Sequence, residues 1–127
     1  MMYSQNPRFH WWQGSSGYWW IATVLPLGIP ALVGPAVYVM VRRDTFGQTM
    51  PLYIGQTGNL SDRMAEHLPT KLASALALGG NELHVHLLTQ TSDERFAAEN
   101  DLRRGHWTPL NQQPGGLFGL RGLTAFR

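Results

Sequence analysis

The sequence predicts an α/β protein of the α+β kind: a small central antiparallel β-sheet flanked by helices, with an N-terminal aromatic-rich β-hairpin as an extension. Short stretches of alternating apolar residues predict strands, and apolar residues spaced three or four apart predict helices. Hydrophobic residues make up 43% of the 127 residues and charged residues 14%. This composition indicates a folded chain with one modest core.

The first predicted element is the hairpin, over residues 9–25. The segment Gly14-Ser15-Ser16-Gly17 is a strong turn signal between two aromatic-rich strands. We expect this hairpin to pack over the sheet. Stacking of its aromatic rings on unpaired bases is the alternative. The aromatic residues that flank the turn are Trp11, Trp12, Tyr18, Trp19 and Trp20.

Two further strands are expected at residues 36–43 and 52–56, joined by a polar turn over residues 44–50. If they pair as a hairpin, their alternation places the valines of the first strand on the buried side with Leu52 and Ile54. Tyr38 and Tyr53 then share the opposite side, which brings two phenols near one another. Considered alone, each tyrosine could also be an ordinary aromatic residue of a β-strand with no functional role.

A helix is expected to begin at Leu60, with Asn59 as its cap. Arg63 and His67 lie four residues apart on it and therefore point the same way. Without further context, this pair also fits a solvated helix face. Pro69 ends or kinks this helix, and a second short helix is expected over residues 70–78.

The last strand and helix are expected at residues 82–89 and 93–104, with Ser92 as the helix cap. His84 and His86 share one face of the strand, but no third metal ligand is visible, so we interpret both as structural. Glu99 lies three residues from both Phe96 and Leu102, which predicts an inward carboxylate that needs a partner. The candidate partners are a metal ion, Arg95 and Arg103, the two arginines lying one helical turn away.

Charge and cysteine content narrow the class of protein. The net charge is +2, and nine of the ten Lys and Arg residues are arginine, the cation suited to bidentate phosphate contacts. The absence of cysteine excludes disulfides and thiolate metal sites. It also allows a reducing compartment, and we expect a cytoplasmic protein.

A membrane-associated protein is a further alternative, because no charged residue occurs between Arg8 and Arg42 and residues 18–41 are largely apolar. Prolines at positions 26, 30 and 35 interrupt this stretch and would remove helical hydrogen bonds. We therefore expect no membrane contact.

The expected organisation has three parts. Residues 1–35 form the hairpin extension packed on the core, residues 36–113 form the core, and residues 114–127 form a glycine-rich tail. The tail also carries apolar residues and is a candidate homodimer contact.

Several residues follow one another in an order that resembles the GIY-YIG nuclease family. Ala36-Val37-Tyr38 matches its first triad through the tyrosine, and Tyr53-Ile54-Gly55 matches the second. The remaining matches are Arg63 and His67 on the helix that follows, Glu99 in Phe96-Ala97-Ala98-Glu99 and Asn111 in Pro109-Leu110-Asn111. The similarity covers residues 34–113, although Ala36-Val37 replaces Gly-Ile and the interval between the tyrosines is longer than usual.

The resemblance implies a metal-dependent endonuclease that hydrolyses DNA phosphodiesters. It implies Glu99 as the only carboxylate ligand of one Mg²⁺ (or Mn²⁺) ion, and Arg63 as the clamp on the scissile phosphate. Tyr38 or His67 would activate the water, Tyr53 would contact the phosphate or the metal's waters, and Asn111 would hold the site or the strand that bears Tyr53.

Nucleic acid would contact the chain through four arginines. A catalytically inactive binding module acting through the same cations is the alternative within this resemblance. These expected nucleic-acid-binding residues are Arg42, Arg63, Arg103 and Arg104.

Overall fold

The computed structural model describes residues 8–112, which form one antiparallel sheet and three α-helices. Both predicted hairpins are present, and the second of them is longer than the alternation suggested. The strands are β1 Phe9–Gln13, β2 Trp19–Pro26, β3 Ala36–Arg43, β4 Thr49–Thr57 and β5 Glu82–His86.

The helices follow the predicted order. The first is α1 Leu60–His67, which continues through a π-helical turn, Leu68–Leu72, into α2 Ala73–Ala77. Pro69 therefore changes the winding without ending the segment. The last helix is α3 Ser92–Gly105, followed by a 3₁₀ turn, Pro109–Asn111.

The strands lie in the order β1-β2-β5-β3-β4, and every neighbouring pair is antiparallel. The N-terminal hairpin joins this sheet because β2 pairs with β5, with Thr23 opposite Val85. Our expectation that the hairpin packs over the sheet is therefore wrong. Alternation reports which residues of a strand share a face, but not which strands become neighbours.

Both faces of the sheet are covered, so the chain has two hydrophobic clusters. The first cluster lies under α1 and α2 and includes Tyr38, Met40 and Leu83. The second cluster lies under α3 and includes Val37, Val39, Val41 and Ile54.

Leu52 belongs to the first cluster, whereas we expected it beside the valines. The cause is a β-bulge: Met40 pairs with Tyr53 but Val41 pairs with Pro51, so Leu52 is an extra residue in β4. An extra residue reverses the face on which the side chains beyond it lie. Tyr38 and Tyr53 do share one side, as predicted.

Local hydrogen bonds explain where the two long helices begin. The Asn59 side chain accepts from the Asp62 backbone N–H, which confirms the predicted cap of α1. The cap of α3 is Thr91 and not Ser92, because Thr91 and Glu94 form a reciprocal capping box. β5 ends at His86, three residues earlier than expected.

The apolar stretch over residues 18–41 contributes β2, a connecting loop and β3. Within residues 8–112, no helix combines the length and the apolar character needed to cross a bilayer. The expected tail, residues 114–127, and the first seven residues of the expected extension lie outside the described residues.

Candidate active site

Tyr38 lies at the centre of the candidate site, on β3. Its side chain is fully buried, and its hydroxyl is 2.8 Å from Nε2 of His67 on α1. The ring crosses over Gly55 of β4, the residue directly opposite in the ladder. A Cβ atom at position 55 would lie 2.5 Å from the Tyr38 hydroxyl oxygen. Glycine is therefore needed at this position to make room for the phenol.

Tyr53 lies beside this pair and is half-buried. Its ring centroid is 5.3 Å from that of His67 and 6.2 Å from that of Tyr38. Lys71, from the π-helical turn, places its ammonium 5.6 Å from the Tyr53 ring centroid. Three aromatic rings from β3, β4 and α1 thus form one group.

Arg63 lies one turn before His67 on α1 and is part of the same neighbourhood. Its Nε forms an exposed ion pair with Glu66 Oε1 at 3.0 Å. Burial is the main influence on the pKa of Tyr38, Tyr53, His67 and Glu99, and the positive charge of Arg63 also acts on each of them. The guanidinium therefore lies among the groups that the sequence indicated.

Glu99 reaches the group from α3. Its side chain is 14% exposed, which confirms the predicted inward orientation, and its nearest cation is Arg103 at 3.7 Å. Partial burial raises the pKa of Glu99, while Arg103 and Arg63 lower it less. Its charge also raises the pKa of Tyr38 and Tyr53, after their own burial. The carboxylate is thus partly desolvated, with one weak ion pair.

Asn111 holds β4 and does not join the polar group. Its Oδ1 accepts from the Ile54 backbone N–H at 2.7 Å, and its Nδ2 donates to the Ile54 carbonyl at 2.9 Å. The Thr108 hydroxyl also donates to Oδ1. The Asn111 side chain thereby forms the two backbone hydrogen bonds at Ile54 that a neighbouring strand would otherwise form. Of the two roles we considered, the geometry is that of holding the strand.

The remaining predicted arginines lie in different places. Arg103 is next to Glu99, and Arg104 is exposed near the end of α3. Arg42 lies four residues along β3 from Tyr38, which is about 13 Å in a strand. Its guanidinium contacts Met50 Sδ at 3.5 Å. The structure therefore does not bring Arg42 to the group around Tyr38.

The pKa values separate the two candidate bases. Burial, followed by the neighbouring Tyr53 and Glu99, raises the pKa of Tyr38 far above that of a free phenol. Burial and the charge of Arg63 lower the pKa of His67 below its usual 6.5. At neutral pH the phenol is protonated and the imidazole is neutral, so His67 is the group able to accept a proton.

The chemistry of Glu99 fits a hard divalent cation. A carboxylate held partly out of water, beside only a distant arginine, gains from a cation that keeps most of its own waters. Residues 8–112 contain no group of three His, Cys, Asp or Glu side chains arranged to bind a metal. The predicted site requires one carboxylate only.

Sequence reasoning missed Arg95 on α3. Its side chain is buried, whereas we considered it only as a candidate partner of Glu99 and did not predict its burial. A signal was present: Arg95, Ala98 and Leu102 follow the three- and four-residue spacing of a buried stripe, and these are the residues that α3 buries.

The two histidines of β5 have different surroundings. His84 is fully buried, accepts from Trp12 Nε1 at 3.0 Å and bonds Glu82 through Nε2 at 2.8 Å. His86 contacts the Ile21 carbonyl through Nδ1 at 2.7 Å. Both join the N-terminal hairpin to β5, which agrees with a structural role.

Comparison of this chain with protein-family models, with curated proteins and with solved structures finds no match.

Proposed function

We propose that this protein is a metal-dependent endonuclease of the GIY-YIG kind, acting on DNA phosphodiester bonds. The observation that carries the proposal is the convergence of residues distant in the chain. Tyr38, Tyr53, Arg63, His67 and Glu99 come from four different elements and share one neighbourhood. Few structural needs explain a desolvated carboxylate, a guanidinium, an imidazole and two phenols together, whereas phosphoryl hydrolysis uses each of them.

The roles follow from position and charge. Glu99 would hold one Mg²⁺ or Mn²⁺, which supplies positive charge to the phosphoryl oxygens and the leaving group. Arg63 is 42% exposed on its side chain, so it is free to turn from Glu66 to a phosphate. Tyr53 and Arg103, which both lie near Glu99, would contact the DNA strand there.

His67 is the general base in this proposal, and Tyr38 positions it. The hydrogen bond to Tyr38 occupies Nε2. If Nε2 carries the hydrogen and donates to the phenol oxygen, Nδ1 is left as the acceptor for a proton from water. The buried phenol therefore orients the ring, and His67 acts as the base in the tautomer whose Nε2 donates to Tyr38.

Plasmid cleavage tests this function. The wild-type chain, incubated with supercoiled plasmid and Mg²⁺, is expected to give nicked or linear DNA. Arg63→Ala and Glu99→Gln are each expected to lower the rate about 100-fold or more, as for removal of one charge-stabilising group. Asp93→Asn, an exposed acid on the same helix, is the matched control and should cut normally. Added EDTA should stop the reaction.

A binding module without turnover is the second candidate, favoured by the complete burial of Tyr38. In that case the wild-type chain retards DNA in a gel but leaves the plasmid intact with Mg²⁺ or Mn²⁺. Cleavage that survives in Glu99→Gln would also contradict the proposed enzyme. A cytoplasmic location belongs to the proposal, and the homodimer contact expected of the tail stays a prediction.

A further inference from the structure

Arg95 is a buried cation without a counter-charge among residues 8–112. Its relative exposure is 8%, and it takes part in no ion pair in that part of the chain. The cations that act on the pKa of Glu99 are Arg103 and Arg63, so Glu99 is not its partner. Burial of a charged group is costly unless an opposite charge compensates it. Within the described residues, the fold thus buries a guanidinium that only neutral acceptors hold.

Neutral acceptors hold this guanidinium in one orientation. Nε donates to Gln56 Oε1 at 3.2 Å, and Nη1 donates to the Gln90 carbonyl at 2.6 Å. Nη2 forms no hydrogen bond within the described part of the chain. In this part of the chain, the fully buried polar side-chain atoms that lack a hydrogen-bond partner are His86 Nε2 and Thr89 Oγ1. Because Nη2 is not one of them, it keeps some contact with solvent.

Nη2 lies near Gly58, in the loop that leads into α1. A Cβ atom at Gly58 would lie 3.8 Å from Nη2, with no other heavy atom within 4 Å. Gly58 is exposed and directly precedes Asn59, the cap of α1. A donor of a buried cation, held by two other hydrogen bonds, therefore lies beside an exposed residue that has no side chain. Asp62, in the first turn of α1, is exposed and opposes an anion there.

The position of Arg95 relative to the candidate active site indicates which anion it takes. Arg95 lies four residues before Glu99 on α3, and Gly58 lies five residues before Arg63 on α1. Four residues of helix span about 6 Å. Arg95 thus lies about that far along α3 from Glu99, the proposed metal ligand, a distance comparable to that between neighbouring phosphates of one strand.

We propose that Arg95 and the Gly58 loop form a second phosphate site, which binds the phosphate next to the one that is cut. The ligand class is a phosphodiester of a polynucleotide strand, and this assignment rests on the proposed function. Gln56 and Gln90 hold the guanidinium so that no ordering is needed when the strand binds. Arg95 is accordingly a binding and positioning residue and takes no part in the chemical step.

Binding without cleavage tests this site. Fluorescence anisotropy of a labelled oligonucleotide is measured in EDTA over a range of salt concentrations. Gly58→Leu covers Nη2 while it leaves Arg95 and its hydrogen bonds intact. We expect it to weaken binding about tenfold and to reduce the slope of log affinity against log salt by about one. Arg95→Gln should act in the same way, and Asp62→Asn should tighten binding.

Arg8→Gln, which removes an exposed cation from the N-terminal hairpin, is the control and should keep the wild-type slope. If Gly58→Leu and Arg95→Gln fold, as judged by circular dichroism, and bind with the wild-type affinity and slope, Arg95 is purely structural and the proposal is overturned. If Arg95→Gln does not fold, Gly58→Leu alone decides.

A second measurement separates a strand from a free anion. The melting temperatures of the wild-type chain and of Gly58→Leu are measured with inorganic phosphate. The assignment to a strand is overturned if phosphate raises the melting temperature of the wild-type chain only, while both chains bind the oligonucleotide equally. The plasmid assay measures the proposed nuclease activity independently of this site. Loss of the salt slope in Gly58→Leu together with an uncut plasmid would support this site and contradict the enzyme.

Discussion

Gly55 shows how a single missing side chain shapes the candidate site. The Tyr38 ring occupies the space above it, and its hydroxyl and Cζ atoms would lie 2.5 and 2.7 Å from an added Cβ. Both atoms belong to a buried, hydrogen-bonded ring that has little freedom to move. The glycine that closes the second triad is therefore explained by packing against the tyrosine of the first.

Gly55→Ala is expected to destabilise the protein by about 1–3 kcal/mol, as for overpacking of a core. It should also displace Tyr38 from His67 and lower any nuclease rate. Gly58→Ala is the matched control, because its nearest neighbour would be at 3.8 Å, an ordinary contact. Chemical denaturation measures both variants. Equal stability of Gly55→Ala and the wild type would show that the phenol can move.

At the scale of elements, β5 joins the two halves of the sheet through charged and aromatic groups. Glu82 Oε2 accepts from Arg43 Nε at 2.9 Å, and Glu82 Oε1 contacts His84 Nε2 at 2.8 Å. His84 in turn accepts from Trp12 on β1. Desolvation is the main influence on His84 and lowers its pKa to about 4. Desolvation alone would raise the pKa of Glu82, but hydrogen bonds from Arg43 and His84 outweigh it and lower this pKa to about 2.

The neutral state of His84 makes stability depend on pH. Below pH 6.5 the unfolded chain binds a proton at His84, whereas the folded chain does so only near pH 4. Stability should therefore fall as the pH is lowered through this interval, by about 2–3 kcal/mol between pH 7 and 4.5. The measurements stay above pH 4.5, because protonation of Glu82 lowers the free energy of unfolding further at lower pH.

The measurement is the free energy of unfolding by urea across this range. His84→Gln should give a flatter dependence, while His106→Gln, the control for removal of a histidine, should keep the wild-type one. A wild-type stability that rises as the pH falls from 6.5 would contradict a neutral, buried His84.

The N-terminal hairpin is also tied to α3. The Asp101 carboxylate accepts from the Ser16 backbone N–H at 2.8 Å, from the Ser16 hydroxyl at 2.7 Å and from Trp20 Nε1 at 2.9 Å. A Cβ atom at Gly14 would overlap this carboxylate. The turn that the sequence indicated therefore binds α3 through Asp101, which lies more than 80 residues further along the chain.

How far the sequence predicts this structure differs between elements. The caps, turns and alternation around Gly14–Gly17, Asn59 and residues 36–43 are local signals, and they located the elements well. The pairing of β2 with β5 and the bulge at Leu52 depend on contacts between distant segments, which no local pattern contains. The candidate site was predicted because its residues resemble a known order, but the burial of Tyr38 and of Arg95 required coordinates.

At the scale of the whole molecule, the expected division at residue 35 has a testable consequence. The last four residues of β2 pair with β5, and Trp12 and Ala22 lie in the second hydrophobic cluster. A chain limited to residues 36–113 loses that ladder and exposes both β5 and the second cluster. We expect it not to fold as a stable unit.

Circular dichroism during heating measures this. The full chain should melt cooperatively, and the truncated chain should show no cooperative transition at any temperature. Cooperative melting of the 36–113 chain would show that the core folds without the hairpin, and would contradict this prediction.

The central position of β5 also sets the order of events during synthesis. Residues 9–57 can form two separate ribbons as they leave the ribosome, but β2 and β3 never bond each other, so both wait for the strand that lies between them. Until residues 82–86 arrive, each ribbon presents an open edge to other nascent chains. The sheet closes late and over long sequence separations, which slows folding. Cooler expression, or a chaperone that shields those edges, should raise the yield of native protein.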